Sequence, residues 1–508
     1  MGNVSSYLGH RLFESGVKRK REFILEDNET DLDIPKRRRL KSTTKHIYDT
    51  LFVNGQGSDI TIKALGQEWR LHKMYISQSA YFACMFNGSW KESDESVINI
   101  DIVDPNIDVD ALNITLGSFY NDNVLIRPTQ VVSILAAARL LQLEDLIQQC
   151  ESIMKDSISA TTVCKYYMGA TMYGALDVES QCLQWLQRNL LSLREIDLLK
   201  DISCELMEKI VGSPNLCVLQ VELDVYTLVK KWLYLQLFPD FEGDMTSLSE
   251  QMGYFKGLAE GKENHYFLMT KEGRKYISVF RQVRFHHIIN DMQSVKTLYA
   301  DHIVSPEWLQ PYFTYQWNKM LAVDQGLDKG PQQLSEEEFN KTAMRCGRIL
   351  QKNGKYCWRW TGYSYGFDLL IILTKRGFVF KRNTQSQPYN GSVSLQPTRR
   401  IFYKFSVMSL DKNGMVTYSK STPIHRLRFV PDEDIPILTL EEAATFPLHI
   451  CFNVVYVTPC ESVPLPTLPT LTNEDWDKID DIQGVPSSSV HLDPTLNPES
   501  LLSNSSAE

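Results

Sequence analysis

Ser58-Asp59-Ile60-Thr61-Ile62-Lys63-Ala64, followed by Trp69-Arg70-Leu71-His72-Lys73 and Ser79-Ala80-Tyr81-Phe82, is the stretch whose reading sets the first module. Residues 59–64 alternate apolar and polar side chains, the period of a half-buried strand, and Gly55 and Gly57 precede them as turn residues. Trp69-Arg70-Leu71 reads as a second strand. The period then lengthens: Tyr75, Ile76, Ser79, Phe82, Met85 and Phe86 recur at helical spacing, and residues 97–100 return to strand. Val109, Leu112, Leu116 and Tyr120 mark another amphipathic helix. Residues 128–150 supply two more, with Pro128 at a helix start, where its missing N–H costs nothing. The spacing predicts a helix-rich α/β unit.

Outward from this unit, 508 residues with 43% hydrophobic content suffice for about three domains. The net charge of −9 argues against direct nucleic-acid binding by the folded part, since phosphate binding needs clustered Lys and Arg. Residues 1–45 carry eleven Lys or Arg against seven acids, whereas residues 461–508 carry nine acids against Lys478 alone. Basic head and acidic tail read as separate solvated segments. The ten cysteines form no CxxC pair and no zinc spacing, so they are expected to be reduced thiols in an intracellular protein. The most apolar run, 131–150, is interrupted by Arg139, Glu144 and Asp145 and is too charged for a membrane span.

The head begins Met1-Gly2-Asn3-Val4-Ser5-Ser6, an acceptor pattern for myristoylation of Gly2 that chance also produces. One acyl chain anchors only marginally, and a basic patch is the usual second signal. Two patches follow: Lys18-Arg19-Lys20-Arg21 and Lys36-Arg37-Arg38-Arg39. They have the form of a two-part nuclear localisation signal read by importin, or of a solvated basic tail. Residues 1–44 are expected to be disordered, their acidic middle having too little apolar content to fold.

The residues quoted first, with Leu71-His72-Lys73, Met85-Phe86, Ala136-Ala137-Ala138, Leu140-Leu141-Gln142-Leu143 and Cys150, resemble a BTB (POZ) domain over 45–156. The resemblance implies structural roles for Asp59, His72 and Lys73, agreeing with a reading of His72 as a helix-start or core residue. It also implies self-pairing into a homodimer. BTB domains of ubiquitin ligases carry a hydrophobic–any–Glu triplet in a loop that contacts cullin-3, and Trp90-Lys91-Glu92 fits that pattern. Trp90 would fill an apolar pocket on the partner and Glu92 would set register; the alternative is an ordinary loop with a tucked-in aromatic.

Between 157 and 322 the pattern is helical. Cys182, Trp185, Leu186, Asn189 and Leu190 form one stripe, and Val218, Val221, Val225, Val229 and Trp232 another. Ser213-Pro214 reads as a helix N-cap and first residue, a signal repeated at Ser305-Pro306. Residues 240–275 are less regular and read as an exposed insertion. With Glu222 and Val283-Arg284-Phe285, this order resembles a BACK domain, whose helices set the distance to a substrate module.

Ser335 and Glu338 form a capping box, after which 335–460 turns to strand. Asn353-Gly354 and Asn413-Gly414 are hairpin signals, Tyr403, Phe405 and Val407 share one strand face, and further strands are expected at 367–373, 378–382 and 449–456. No repeat near ~50 residues suggests a propeller. Trp358 and Trp360 share a face, as core residues would, which leaves Arg359, Tyr363 and Tyr365 as the substrate-contact candidates. Residues 461–508 read as a disordered acidic tail, with Trp476 among acids as a possible docking motif.

Met344-Arg345-Cys346-Gly347-Arg348, Tyr356-Cys357-Trp358-Arg359-Trp360-Thr361-Gly362, Phe380-Lys381-Arg382-Asn383 and Gly391-Ser392-Val393-Ser394-Leu395 resemble the germ cell-less family. The likeness runs from about residue 36 to 458. There is no phosphate-binding loop, nucleophile elbow or His-x-x-x-His helix, and adjacent His286 and His287 would diverge on a helix, so no catalytic residue, cofactor or metal is expected. The resemblance implies a multidomain adaptor, with an α/β BTB, an all-α BACK-like and a mainly β domain. It would hold a protein substrate for a cullin-3 ubiquitin ligase at the nucleus, nuclear envelope or nuclear matrix, in germ-cell development or spermatogenesis. A nuclear-envelope scaffold, tethered through myristate, and a transcriptional co-regulator are the alternatives.

Overall fold

A computed structural model of the chain describes residues 43–87, 95–121, 124–193, 195–260, 265–362, 367–382, 398–430, 433–459, 464–472 and 475–476. In the first module β1 (Ile60–Ala64) pairs antiparallel with β2 (Gln67–Leu71) and parallel with β3 (Val97–Asn99), giving the order β2-β1-β3. The alternation works as the sequence requires: Ile60, Ile62 and Ala64 face inward. Leu65 and Gly66, both at positive φ (48° and 74°), make the two-residue turn between β1 and β2 that matches strand twist. Helices Ala80–Asn87, Val109–Gly117 and Val131–Leu140 close over this sheet, burying Phe82, Leu112, Leu116 and Ala137.

The middle module is helical from Val163–Tyr173 to Pro306–Asp324. Leu176–Asn189 buries Cys182, Trp185 and Leu186, and Glu222–Leu237 buries Val225, Val229 and Trp232, so both apolar stripes serve as core. Ser305 caps the last helix through Glu307 N–H, as its sequence signal predicts. Two expectations fail. Ser213-Pro214 follows the end of Cys204–Gly212 and does not start a helix; the next begins at Glu222, where Asp224 accepts from Val221 N–H. Residues 240–275 are not an exposed insertion, because Leu248, Phe255, Phe267 and Leu268 are buried in the helical core. Their short helical turns, such as Met245–Glu250 and Tyr254–Ala259, are too brief to show a period in sequence.

The last module packs two sheets face to face. One holds β4 (Met344–Leu350), β8 (Arg399–Leu410), β9 (Val416–Ser421), β10 (His425–Phe429) and β12 (Leu448–Val455). The other has the order β11-β7-β6-β5, from β5 (Tyr356–Gly362), β6 (Phe367–Thr374), β7 (Gly377–Arg382) and β11 (Asp434–Thr439). Aromatic rings fill the space between, with Phe378 and Phe405 at 5.0 Å and Phe380 and Phe452 at 5.2 Å between centroids. Asn413-Gly414 does turn β8 into β9, with Gly414 at φ 76°. Asn353-Gly354 makes no hairpin: β4 pairs with β12 and β5 with β6, so the chain crosses between sheets there.

Beyond the sandwich the chain departs from a solvated tail. Residues 464–472 lie on the helical module, where Leu468 is buried and the Arg281 guanidinium donates to the carbonyls of Leu468 (3.3 Å) and Pro469 (2.9 Å). Trp476 packs under Arg274 at 4.1 Å. An apolar residue every few positions is enough to dock an extended strand, and it leaves no periodicity to read.

Candidate functional site

In the BTB module the three residues singled out from the sequence meet at the entry to the helix following β2. Asp59 accepts from Lys73 N–H at 2.7 Å. The Tyr120 oxygen accepts from His72 N–H at 3.0 Å, and its hydroxyl lies 3.1 Å from His72 Nδ1. His72 Nε2 reaches the Gln56 carbonyl at 3.0 Å. One proton arrangement satisfies every group: Nε2–H donates to Gln56 and Nδ1 accepts from Tyr120. His72 therefore ties a turn to a helix, and burial pushes the Tyr120 phenol up to about 12.

Trp90, Lys91 and Glu92 lie outside the described residues, as do Gly2, the basic residues Lys18, Arg19, Lys20, Arg21, Lys36, Arg37, Arg38 and Arg39, and the aromatics Tyr363 and Tyr365. Arg359 stands in the edge strand β5, and its side chain is outside what is described. Trp358 is half-buried against Phe378, with the Arg348 guanidinium over its ring at 5.5 Å, which is the core position its register predicted.

The BTB module is joined firmly to the helices. Tyr173 donates to Asp104 at 2.8 Å and accepts from Asn106 at 2.8 Å. Beside this link an apolar patch remains open: Val103 is 86% exposed, Met172 64% and Met168 50%. Asn106 Nδ2, 3.4 Å from Met172 Sδ, puts the loop and the helix side by side.

The second seam, between helices and sandwich, is polar and buried, and the sequence reading missed it. Arg345, quoted only as part of a motif, is fully buried on β4 and meets Glu222 through Nε (2.8 Å) and Nη2 (2.9 Å). Its Nη1 donates to the carbonyls of Val211 (2.6 Å) and Ser213 (2.8 Å), capping the end of Cys204–Gly212. Burial raises the Glu222 carboxyl, but Arg345, with Arg284 and His287, outweighs it and holds the group below its ordinary range. Next to Arg345, Gly347 is required for space, because a methyl group there would collide with the carbonyls of Val218 and Ile450. Arg284 donates to the carbonyls of Ala343 and Asn340, and His287 donates to Thr342 at 2.9 Å. His286 and His287 do not diverge as on an α-helix. They occupy a 3-10 turn with ring centroids 4.0 Å apart.

Cys217 and Cys451 are paired as a disulfide across this seam, with Cα atoms 5.6 Å apart, where the sequence reading expected free thiols. Their separation of 234 residues gives no spacing signal. Burial pushes the thiols of Cys150, Cys164 and Cys182 up to about 12, so they are protonated and poor nucleophiles. Among the described residues no group of three His, Cys, Asp or Glu is placed to hold a metal ion, and no helix is long and apolar enough to cross a membrane.

Known proteins resemble this chain in sequence. The BTB/POZ domain family matches residues 48–158. Human germ cell-less protein-like 1 is 46% identical over 430 residues, covering 84% of each chain. The Drosophila melanogaster protein germ cell-less is 35% identical over 480 residues, covering 88% of this chain and 84% of its own. Human kelch repeat and BTB domain-containing protein 2 is 24% identical over 212 residues, 40% of this chain. The first two likenesses cover more than four fifths of the chain, the third less than half, and the chain therefore belongs to the germ cell-less family of BTB-domain proteins.

Proposed function

We propose that this protein is a substrate-recognition adaptor of a cullin-3 RING ubiquitin ligase. The BTB module would grip the cullin and the β-sandwich would present the target. The observation that carries the reading is the pair of built seams: Tyr173 with Asp104 at one, Arg345 with Glu222 at the other. They couple the three modules, and a proximity mechanism needs such coupling. Holding a target lysine near a charged conjugating enzyme raises its effective concentration, so no adaptor residue has to perform chemistry.

On the cullin side the exposed Val103, Met168 and Met172 supply adaptable apolar contact area. Trp90 and Glu92 would complete it, as the family triplet implies. BTB pairing would give two substrate arms. The head of the chain would deliver the complex to the nucleus through importin, with myristoyl-Gly2 and the basic clusters favouring the nuclear membrane.

The test is co-purification with cullin-3 of the full chain carrying both Trp90→Ala and Glu92→Ala. Cullin-3 is expected to be lost while dimer and melting midpoint hold. Cullin-3 retained by that folded variant would remove the loop from the account, and no cullin-3 on the unaltered chain would overturn the adaptor reading.

A further inference from the structure

The β-sandwich turns a polar face toward the helices, and the two do not close on each other. On β8, Phe405 and Val407 point into the sandwich, so Lys404 and Ser406 point out, toward the last turns of Leu176–Asn189. The tip of the β8–β9 hairpin is clamped to that helix: Trp185 Nε1 donates to the Asn413 carbonyl at 2.8 Å and Asn189 Nδ2 to Gly414 at 3.0 Å. Between clamp and seam lies a cleft of about 300 Å³, with Cys217 and Cys451 in its wall.

Its chemistry is one-sided. Arg188 and Lys404 line it, and no lining residue is acidic. Arg188 donates only to Gln184, at 3.0 Å, and neither cation has a carboxylate partner among the described residues. Burial pulls the Arg188 guanidinium downward, the mark of a cation partly stripped of water. Gln187, only 6% exposed, faces the cleft with a side-chain amide that makes no hydrogen bond among the described residues. The amide atoms are not fully buried, so they stay accessible from the cleft and can bond a group that is not part of the chain. Ser406 and Ser421, 2.7 Å apart, add hydroxyls along the open side.

We infer that this cleft is the substrate-recognition site, and that it takes a short extended peptide segment bearing carboxylate or phosphate groups. The anions would lie between Arg188 and Lys404, and Gln187 would bond the peptide backbone or an acidic side chain. This assignment rests on the adaptor reading for its meaning, but the affinity can be measured without it.

The test is fluorescence anisotropy of the full chain at low salt with three labelled peptides: alternating Gly-Glu, its phosphoserine counterpart and its Gly-Ser counterpart. Binding of either anionic peptide and not of Gly-Ser is expected, and the tighter of the two identifies carboxylate or phosphate as the natural group. Lys404→Glu and, separately, Arg188→Gln should each weaken binding by about tenfold with the melting midpoint unchanged. Failure of both anionic peptides to bind, or binding undiminished in both variants, overturns the site. Cullin-3 co-purification of the same variants should be normal. If the unaltered chain binds the peptide but not cullin-3, the cleft stands and the ligase role falls.

Discussion

Arg345 and Glu222, 123 positions apart, meet with neither side chain exposed, and the same guanidinium also satisfies two carbonyls at the end of a neighbouring helix. Nε, Nη1 and Nη2 each donate to the helical module. Removing one partner from such a pair leaves a desolvated charge behind. Arg345→Met should therefore destabilise the protein by about 3–5 kcal/mol, whereas Arg345→Met with Glu222→Met should recover much of the loss. Urea midpoints of the two single variants and the double variant check this; equal midpoints for the Arg345 single and the double would remove the charge argument.

The same seam makes stability depend on acid. Burial draws His287 down to about 4, despite the opposing pull of Glu222 and the Thr342 carbonyl, and burial draws His286 down further. A histidine that is neutral when folded and titrates near 6.5 when unfolded stabilises fully above that pH. The contribution falls as pH drops from about 6.5 to about 4, where it levels off, and His287 alone would account for up to about 3 kcal/mol, less for its partly exposed edge. His287→Gln keeps a donor for Thr342 and cannot titrate, so its melting midpoint should fall less between those pH values. Parallel curves for the two proteins would contradict the assignment.

In the BTB module, Tyr120→Phe deprives His72 N–H of its acceptor and Nδ1 of its donor. A loss of about 1–3 kcal/mol is expected, measured by thermal melting, because His72 has no second partner at those atoms among the described residues. An unchanged midpoint would mean that water replaces the phenol at no cost.

Leu468 anchors the segment laid over the helices. Leu468→Asp would bury a charge without a partner and should release residues 464–472, seen as faster proteolytic cleavage there with the rest of the chain intact. Cleavage no faster than in the unaltered chain would show that the Arg281 and Arg274 contacts suffice.

Several features whose partners are close in sequence were anticipated. β1, the cap at Ser305, the box at Ser335 and Glu338, and the inward Tyr403, Phe405 and Val407 all appear where alternation or capping placed them. Asn353-Gly354 and Ser213-Pro214 misled because the same dipeptides suit a hairpin or a crossover, a helix start or a helix end. Only the partner strand decides between them.

What the sequence determined by itself is the identity and order of the modules, since period, caps and family motifs are local properties of the chain. The tertiary structure alone decided that Arg345 reaches Glu222, that the 464–472 segment docks, and that a basic cleft stays open beside Gln187. These arrangements join residues far apart in the chain, and a buried charge or a cleft lined by one sign of charge has no meaning until folding brings those residues together.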